Sequence, residues 1–502
     1  MSLLMGIDVG TSSLKTVVTD ESGNLLAKAS KGYSIDIPFQ GYAEQDPDLW
    51  WEACVYTIRE CFGKRNFRPE DITAVSFSGQ MHSMVILDKD LKVIRPSILH
   101  CDQRSVKQAE SIRQLLGEDY ITKNVLNPIY SGFSTVSLVW LRENEPDCYN
   151  RIYKVLSPKD YIRFKLTGVV STECSDASGT LAFDIMKGTW NHDLLAKLSL
   201  HQEIFPDCFE SKDVVGRISE EAAGSTGLST GTQVVSGGSD QLMQSIGNGA
   251  INPLDSTVTI GTSGQVFLNV QEPVLNPRLN THLFSGITKD SRYALGATLS
   301  AGVCLKWYRE LIGLNETDYG IFDDMVAGIS PGSEGLVFLP YLSGERTPHL
   351  NAFARGSFFG ITPNKSKWHF GRAIMEGVVY SLLDCMNVFY ELGLNPKRII
   401  ASGGGRKSRV WLGMQADIFN REICINSVDE QAAVGAAILA GYGAGVYGSL
   451  EEGCAKVVKF TDEPIKPNLE NVLKYQKYFS IYKELYRRNE QVFSMLREAE
   501  GI

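Results

Sequence analysis

Two aspartates, each ending an apolar run beside small residues, are the side chains best placed for chemistry. Asp8 stands in Met5-Gly6-Ile7-Asp8-Val9, followed by Gly10-Thr11-Ser12 and a second apolar run ending at Asp20. This pattern predicts a strand, a tight turn and a second strand. A small-residue turn exposes several backbone N–H groups in one direction, which suits a phosphate. A lone carboxylate at a strand end is costly to bury without a partner. A hydrated Mg²⁺ is a fitting partner, since it takes few carboxylates and keeps its waters and phosphates. Asp240 follows Gly237-Gly238-Ser239. Only small residues precede it, so a substrate hydroxyl can approach closely, and a carboxylate there can act as general base. The bland alternative for Asp240 is an Asx turn or a helix cap.

The first turn has a second copy. Ser256 to Ile260 is an apolar run followed by Gly261-Thr262-Ser263 and another run to Leu268. Similarity at half-chain spacing points to two domains of one ancestry. Two such turns facing each other across a cleft would clamp a polyphosphate. Ser263 is not a hydrolase nucleophile on this reading: Gln265 replaces the last glycine of Gly-x-Ser-x-Gly, and a strand follows instead of a helix.

Other stretches could line a ligand. Gly403-Gly404-Gly405 lies between the strand Arg398–Ser402 and a helix starting near Ser408. Its glycines let a flat base or a ribose lie on the backbone, and the helix start favours anions. It is neither a Gly-x-Gly-x-x-Gly fingerprint nor a P-loop, which disfavours a dinucleotide oxidoreductase. Met81-His82 lies between two strands, where His82 could hydrogen-bond a polyol or sit satisfied in the core. Asp102 and Arg104 form a charged pair whose plain reading is a surface ion pair.

These residues need rigid elements to hold them. A chain of 502 residues suggests two large domains. We divide it at 248/249, where Gly247-Asn248-Gly249 and Asn252-Pro253 interrupt the pattern. Hairpins first, then alternating helices and strands, predict α/β domains with mixed sheets. Asp46-Pro47 opens an amphipathic helix to Phe62, and residues 105–170 read as mainly helical. Ala432 to Tyr447 is glycine-broken and too short to span a bilayer, and reads as a helix packed tightly inside the second domain. The tail from Asn468 to Glu500 reads as one or two amphipathic helices covering their own domain or a second subunit, so a homodimer stays open.

Composition narrows the partners. Apolar residues make up 43% of the chain and charged ones 21%, as in an ordinary globular protein. A net charge of −9 with no basic cluster argues against nucleic acid. The ten cysteines are scattered without a Cys-x-x-Cys pair, which fits reduced thiols in the cytoplasm and no zinc site. The start lacks the basic and apolar regions of a signal peptide, and no membrane partner is expected.

Taken together, the motifs resemble the FGGY carbohydrate kinases, and within them the xylulokinase branch. Gly356-Ser357-Phe358-Phe359-Gly360-Ile361, then His369-Phe370 and Ala373-Ile374-Met375-Glu376, is similar to the family's second signature. So are Phe338 to Pro348, Leu156 to Tyr161, Gln80-Met81-His82 and Ser175 to Thr180 to stretches of xylulokinases. The resemblance implies an actin-like, ribonuclease-H-like fold of two domains with ATP in the cleft between them. It implies that Asp8 holds Mg²⁺, and that Gly10, Thr11, Ser12, Lys15, Gly261, Thr262 and Ser263 face the phosphates. Gly302, Lys306, Gly403, Gly404, Gly405 and Ser408 would line the nucleotide pocket. Asp240 would take the proton of the sugar's terminal hydroxyl, with Met81, His82, Asp102 and Gln241 lining the sugar site. Four positions depart from the pattern. Ser137 stands for a usual Lys, His100 for Trp, Gln241 for Asn and Ser239 for Gly. His100 and Gln241 fall at the sugar end of the implied site. The expected substrate is therefore D-xylulose, with glycerol, gluconate, ribulose or another pentulose as the alternative.

Overall fold

A computed structural model describes residues 2–64, 67–314, 319–461 and 463–500. The first lobe is built on strands β1 (Leu3–Val9), β2 (Ser13–Asp20), β3 (Leu25–Gly32), β4 (Ile72–Gly79), β5 (Val214–Arg217), β6 (Gln233–Val235) and β7 (Gly238–Ser239). The second is built on β8 (Asp255–Ile260), β9 (Gly264–Val270), β10 (His282–Ser285), β11 (Arg292–Thr298), β12 (Arg398–Ser402) and β13 (Ile423–Cys424).

The two sheets share one plan. In the first lobe the order is β5-β6-β4-β1-β2-β3, with β7 also pairing β4. In the second it is β10-β11-β9-β8-β12-β13. Each opens with an antiparallel meander and continues through parallel partners: β1 pairs β4 in parallel, and β8 pairs β12. The expected repeat is thus a repeat of topology. It is not a repeat of chemistry. Asp8 faces Lys15 across the first hairpin, whereas Thr259 faces Gln265 across the second, whose turn is one residue shorter. Only the first copy carries a carboxylate at that register.

Burial explains why these runs form strands. Ile7, Val9, Leu14 and Val17 are fully covered, and Val258, Val266 and Leu268 are their counterparts in the second lobe. The helix Pro47–Lys64 returns the chain from β3 to β4 and buries Trp50, Cys54 and Ile58. Its start is capped as expected, Asp46 accepting from the N–H of Asp48 at 3.0 Å.

Two expectations are corrected by packing. The helix Gln431–Gly443 does not pack inside the second lobe. It lies against β1 and β4 of the first lobe and against the helix Asp240–Gly247. Small residues permit this: a Cβ on Gly6 would lie 1.8 Å from the Ala433 carbonyl oxygen, and one on Gly435 1.9 Å from that of Met243. Asn248, read as part of a break, is instead a buried hub. Gln431 donates to its Oδ1 at 2.6 Å and Asn426 at 2.9 Å, while its own amide donates to Ser402 at 3.2 Å.

The tail is one helix, Leu469–Glu500, lying on its own lobe. It buries Tyr475, Tyr482, Tyr486 and Phe493. The Tyr475 hydroxyl donates to Glu376 at 2.9 Å, and the Tyr482 and Tyr341 hydroxyls lie 2.6 Å apart.

Candidate active site

Parallel pairing brings the two aspartates together. Asp8 sits at the C-terminal end of β1, level with Ser78 on β4. On the far side of β4, Gly238 and Ser239 pair with Ser78 and Gly79, so Asp240 emerges at the same sheet edge. The Ser78 hydroxyl donates to Asp8 at 2.7 Å. The carboxylates feel each other: burial, then the charge of Asp8, pushes Asp240 up to about 7. Burial also raises Asp8. Asp240 opens the helix Asp240–Gly247 and accepts from the Gln241 N–H at 2.7 Å, so the helix-cap reading and a functional one coexist.

Both glycine-threonine-serine turns are formed, and they are braced differently. In the first, the Gly10 N–H donates to the Ser13 carbonyl at 3.1 Å, and Gln45 donates to the Thr11 carbonyl at 2.8 Å. In the second, the N–H groups of Ala301 and Gly302 donate to Thr262 and Gly261 at 3.0 and 2.8 Å. The turn therefore abuts the first turn of the helix Gly302–Leu311, where an anion is favoured. A Cβ on Gly302 would stand 2.5 Å from the Gly261 carbonyl oxygen, so glycine is required for this approach.

A cavity of about 710 Å³ opens beside the second turn, with Gly261, Thr262, Gly302, Lys306, Gly404, Gly405 and Ser408 in its wall. Seven residues proposed from separate stretches thus share one wall. Three others in it, Tyr319, Asp323 and Trp411, carried no sequence signal. The glycines do different work. Gly403 has φ +73 and lies under Ile260, and a Cβ on Gly405 would press on Ile260 at 2.6 Å. Gly404 faces open space, its nearest neighbour 3.9 Å from a Cβ. Ser408 caps the helix Arg409–Phe419, accepting from the Trp411 N–H at 3.1 Å. An adjoining recess of about 410 Å³ is lined by Asp8, Lys15, Gly403, Gly404 and Glu430. Gly404 belongs to both, so the two spaces are continuous with the Asp8 edge. There Lys15 reaches across the lobes to Glu430 at 2.8 Å.

The other candidates lie along a run of contacts that begins at Ser239, the residue before Asp240. Ser239 Oγ and the Tyr293 hydroxyl lie 3.0 Å apart, and the Tyr293 hydroxyl also donates to the Met81 sulfur at 3.6 Å. Next along, His82 Nδ1 lies 2.6 Å from the Gly179 carbonyl oxygen and the ring packs on Phe133. Burial pushes His82 down to about 3, so the imidazole is neutral. Gln241, half-buried, hydrogen-bonds the Asp240 carboxylate. Asp102 is no surface partner: its side chain and that of Arg104 are each 1% exposed and 2.8 Å apart. Its oxygens accept from Arg104 and from the Ala43 N–H at 2.6 Å, which fixes a neighbouring loop and leaves the carboxylate engaged.

Among the described residues no cluster of three or more His, Cys, Asp or Glu can cage a metal. The donor set at Asp8 fits a cation held mostly by water and phosphate: one carboxylate, raised by burial, takes a single hydrogen bond from Ser78.

Comparison with known proteins agrees with this geometry. The N-terminal domain of the FGGY family of carbohydrate kinases matches residues 3–247, and its C-terminal domain matches residues 257–444. The chain belongs to the FGGY family of carbohydrate kinases. A xylulose kinase of Bacillus subtilis is 36% identical over 99% of this chain and 99% of its own. A gluconokinase of the same organism is 30% identical over 90% of this chain and 89% of its own. Among solved structures, ligand-bound xylulose kinase from Lactobacillus acidophilus superposes with a TM-score of 0.93, is 28% identical, and covers 99% of this chain and 100% of its own. As a family member, this chain is an ATP-dependent sugar phosphotransferase.

Proposed function

We propose that the protein transfers the γ-phosphoryl group of ATP to the terminal primary hydroxyl of D-xylulose, forming D-xylulose 5-phosphate and ADP. The observation that carries this reading is the meeting of Asp8 and Asp240 at one sheet edge, with Asp8 in a recess that shares Gly404 with the nucleotide-type cavity and with contacts running from Ser239 to Met81. The relative from Bacillus subtilis that supports the choice of sugar aligns over the whole chain.

In this reading the two turns donate backbone N–H groups to the phosphates, with Lys15 and Lys306 adding positive charge. Gly302, Gly403, Gly404, Gly405 and Ser408 shape the seat for the nucleoside. Met81, His82 and Gln241 orient the sugar, while Asp102 holds the adjoining loop. Asp240 takes the proton as the sugar oxygen bonds to the γ-phosphorus and the bridging oxygen departs with ADP. Transfer of this kind is mostly positioning and electrostatic stabilisation. Asp8 would hold Mg²⁺, which supplies charge neutralisation when bound. The lobes close on the sugar to keep water from taking the phosphoryl group. Units 1–248 and 249–502 act as the two jaws. Among the described residues no helix is long and apolar enough to cross a membrane, and all ten cysteines are free thiols, which suits a cytoplasmic enzyme. A second reading, phosphorylation of a sugar acid, is favoured by the gluconokinase relative. Coupled ADP release over a panel of D-xylulose, D-ribulose, gluconate and glycerol tests the proposal. D-Xylulose is expected to give the highest kcat/KM; a higher value for gluconate replaces the first reading with the second.

A further inference from the structure

The loop after Tyr341 places one arginine where, among the described residues, no carboxylate forms an ion pair with it. Its backbone is clamped on both sides. The Arg346 N–H donates to the Glu345 carboxylate at 2.7 Å, and the same carboxylate accepts from the Leu299 N–H at 2.9 Å. One residue later, the Thr347 N–H donates to the Ala297 carbonyl at 2.9 Å. The loop is thus fixed to the end of β11, and the Arg346 side chain projects from a rigid base. It crosses to the first lobe, where its guanidinium stands 5.5 Å from the centre of the Tyr130 ring. Among the described residues no acceptor meets this guanidinium and no carboxylate forms an ion pair with it.

The charge of Arg346 is felt by the Glu345 carboxyl next to it in the chain, which burial pushes up, and by several neutral rings. Its guanidinium stands over the Tyr130 ring, and its charge reaches His82, His100 and His282 as well. Burial first, and Arg346 in addition, keep the three imidazoles neutral. The Tyr130 hydroxyl is 2.5 Å from His282 Nε2, whose other nitrogen lies 3.2 Å from Asn127. His100 is different: its Nδ1 is buried and has no partner. A half-buried guanidinium that no carboxylate pairs with among the described residues, beside an orphaned imidazole nitrogen, is costly unless something supplies oxygens. The same wall leads back through His82, Met81 and Tyr293 to Ser239 and Asp240. Arg346 therefore stands at the far end of a run of side chains that starts beside Asp240.

We infer that Arg346 is a substrate-binding residue contributed by the second lobe, its guanidinium donating to the carbonyl and hydroxyl oxygens at the end of the open-chain sugar remote from Asp240. Resting on the proposed function, this assigns sugar recognition to both lobes: the arginine engages only when second-lobe and first-lobe walls hold one ligand between them. The neutral histidines complete the fit, since each can donate to or accept from a sugar oxygen. Lysine cannot replace the arginine, because one ammonium lacks the fork that reaches two oxygens.

The test compares Arg346→Ala and Arg346→Lys with wild type, measuring KM for sugar and for ATP, kcat and Tm. A lost hydrogen bond from a charged donor is worth about 1.5–3 kcal/mol, so sugar KM is expected to rise roughly 10- to 150-fold in Arg346→Ala, with ATP KM within about threefold. Arg346→Lys keeps the charge and tolerates the site, and its sugar KM is expected to rise at least about fivefold. About 50 mM guanidinium should restore part of the lost sugar affinity in the alanine variant and leave wild type unchanged. Sugar KM within twofold of wild type in either folded variant overturns the inference, as does an equal rise for ATP and sugar. Wild type inactive on D-xylulose overturns the functional reading instead, and the comparison is then made with the panel sugar phosphorylated fastest. If wild type phosphorylates none of them and calorimetry detects no sugar binding, both fall.

Discussion

The glycine triplet after β12 offers a separation of binding from folding within two adjacent residues. At Gly404 a Cβ meets nothing closer than 3.9 Å, and the residue does not occupy the left-handed region, so leucine there is unstrained and points into the 710 Å³ cavity. On the proposed function, the added side chain takes up space meant for the nucleoside between Ile260, Val303 and Trp411. Displacing about 100 Å² of buried ligand surface at roughly 25 cal/mol per Å² forfeits about 2.5 kcal/mol, close to a 70-fold loss of affinity. We therefore expect Gly404→Leu to raise KM for ATP by roughly 30- to 100-fold, while sugar KM stays within about threefold and Tm within a few degrees. Gly403→Ala is the internal control. Its φ of +73 and the Ile260 carbonyl oxygen 2.6 Å from a Cβ make alanine both strained and crowded. That variant is expected to lose about 2–3 kcal/mol of stability, lowering Tm by roughly 5 °C or more. The assay is a coupled ADP measurement with each substrate varied, alongside thermal melting of both variants. Equal rises in ATP and sugar KM for Gly404→Leu, or none in either, would falsify the placement of the nucleoside in this cavity.

Asp240→Asn should lower kcat by at least about 10² with sugar affinity within tenfold, because the amide keeps the shape and loses the proton acceptor; near-normal turnover removes Asp240 from the role of base. Glu345 carries a pH signature in stability. It is 2% exposed, and burial pushes it up to about 7. The folded state therefore holds a proton between the ordinary carboxylate range and about 7 that the unfolded chain has released, so this group's contribution falls as pH rises through that window. Glu345→Gln keeps an acceptor for the N–H groups of Leu299 and Arg346 without the charge, and its stability relative to wild type should improve from pH 5 to pH 8 by on the order of 1–3 kcal/mol, read as a relative rise in Tm. A Tm difference independent of pH would show that the carboxyl is not held protonated.

Some of this was legible because local pattern carries it. A turn built of Gly-Thr-Ser between apolar runs dictates a hairpin wherever it occurs, and both copies formed as expected. The helix cap at Ser408 and the returning helix after Asp46 follow from short-range hydrogen bonding in the same way. Pattern specifies the helix Gln431–Gly443 but not its neighbour in the first lobe, since small residues announce close packing without naming the partner. Asp102 looked like a surface charge because spacing does not report burial.

What the chain determines on its own is therefore a set of elements and a short list of reactive groups, because turns, caps and strand periodicity depend on residues a few positions apart. Which of those groups meet was decided by parallel strand pairing: β4 lies between β1 and β7, and that order alone brings residues 8 and 240 to one edge. The asymmetry of the two hairpins, with Asp8 in one and Thr259 in the other, acquires meaning only through that placement. Arg346 shows the limit most plainly. Nothing near it in sequence sets its role, because its surroundings come from Tyr130, His82 and His100, more than two hundred residues away, and only the joining of the lobes puts them around one guanidinium.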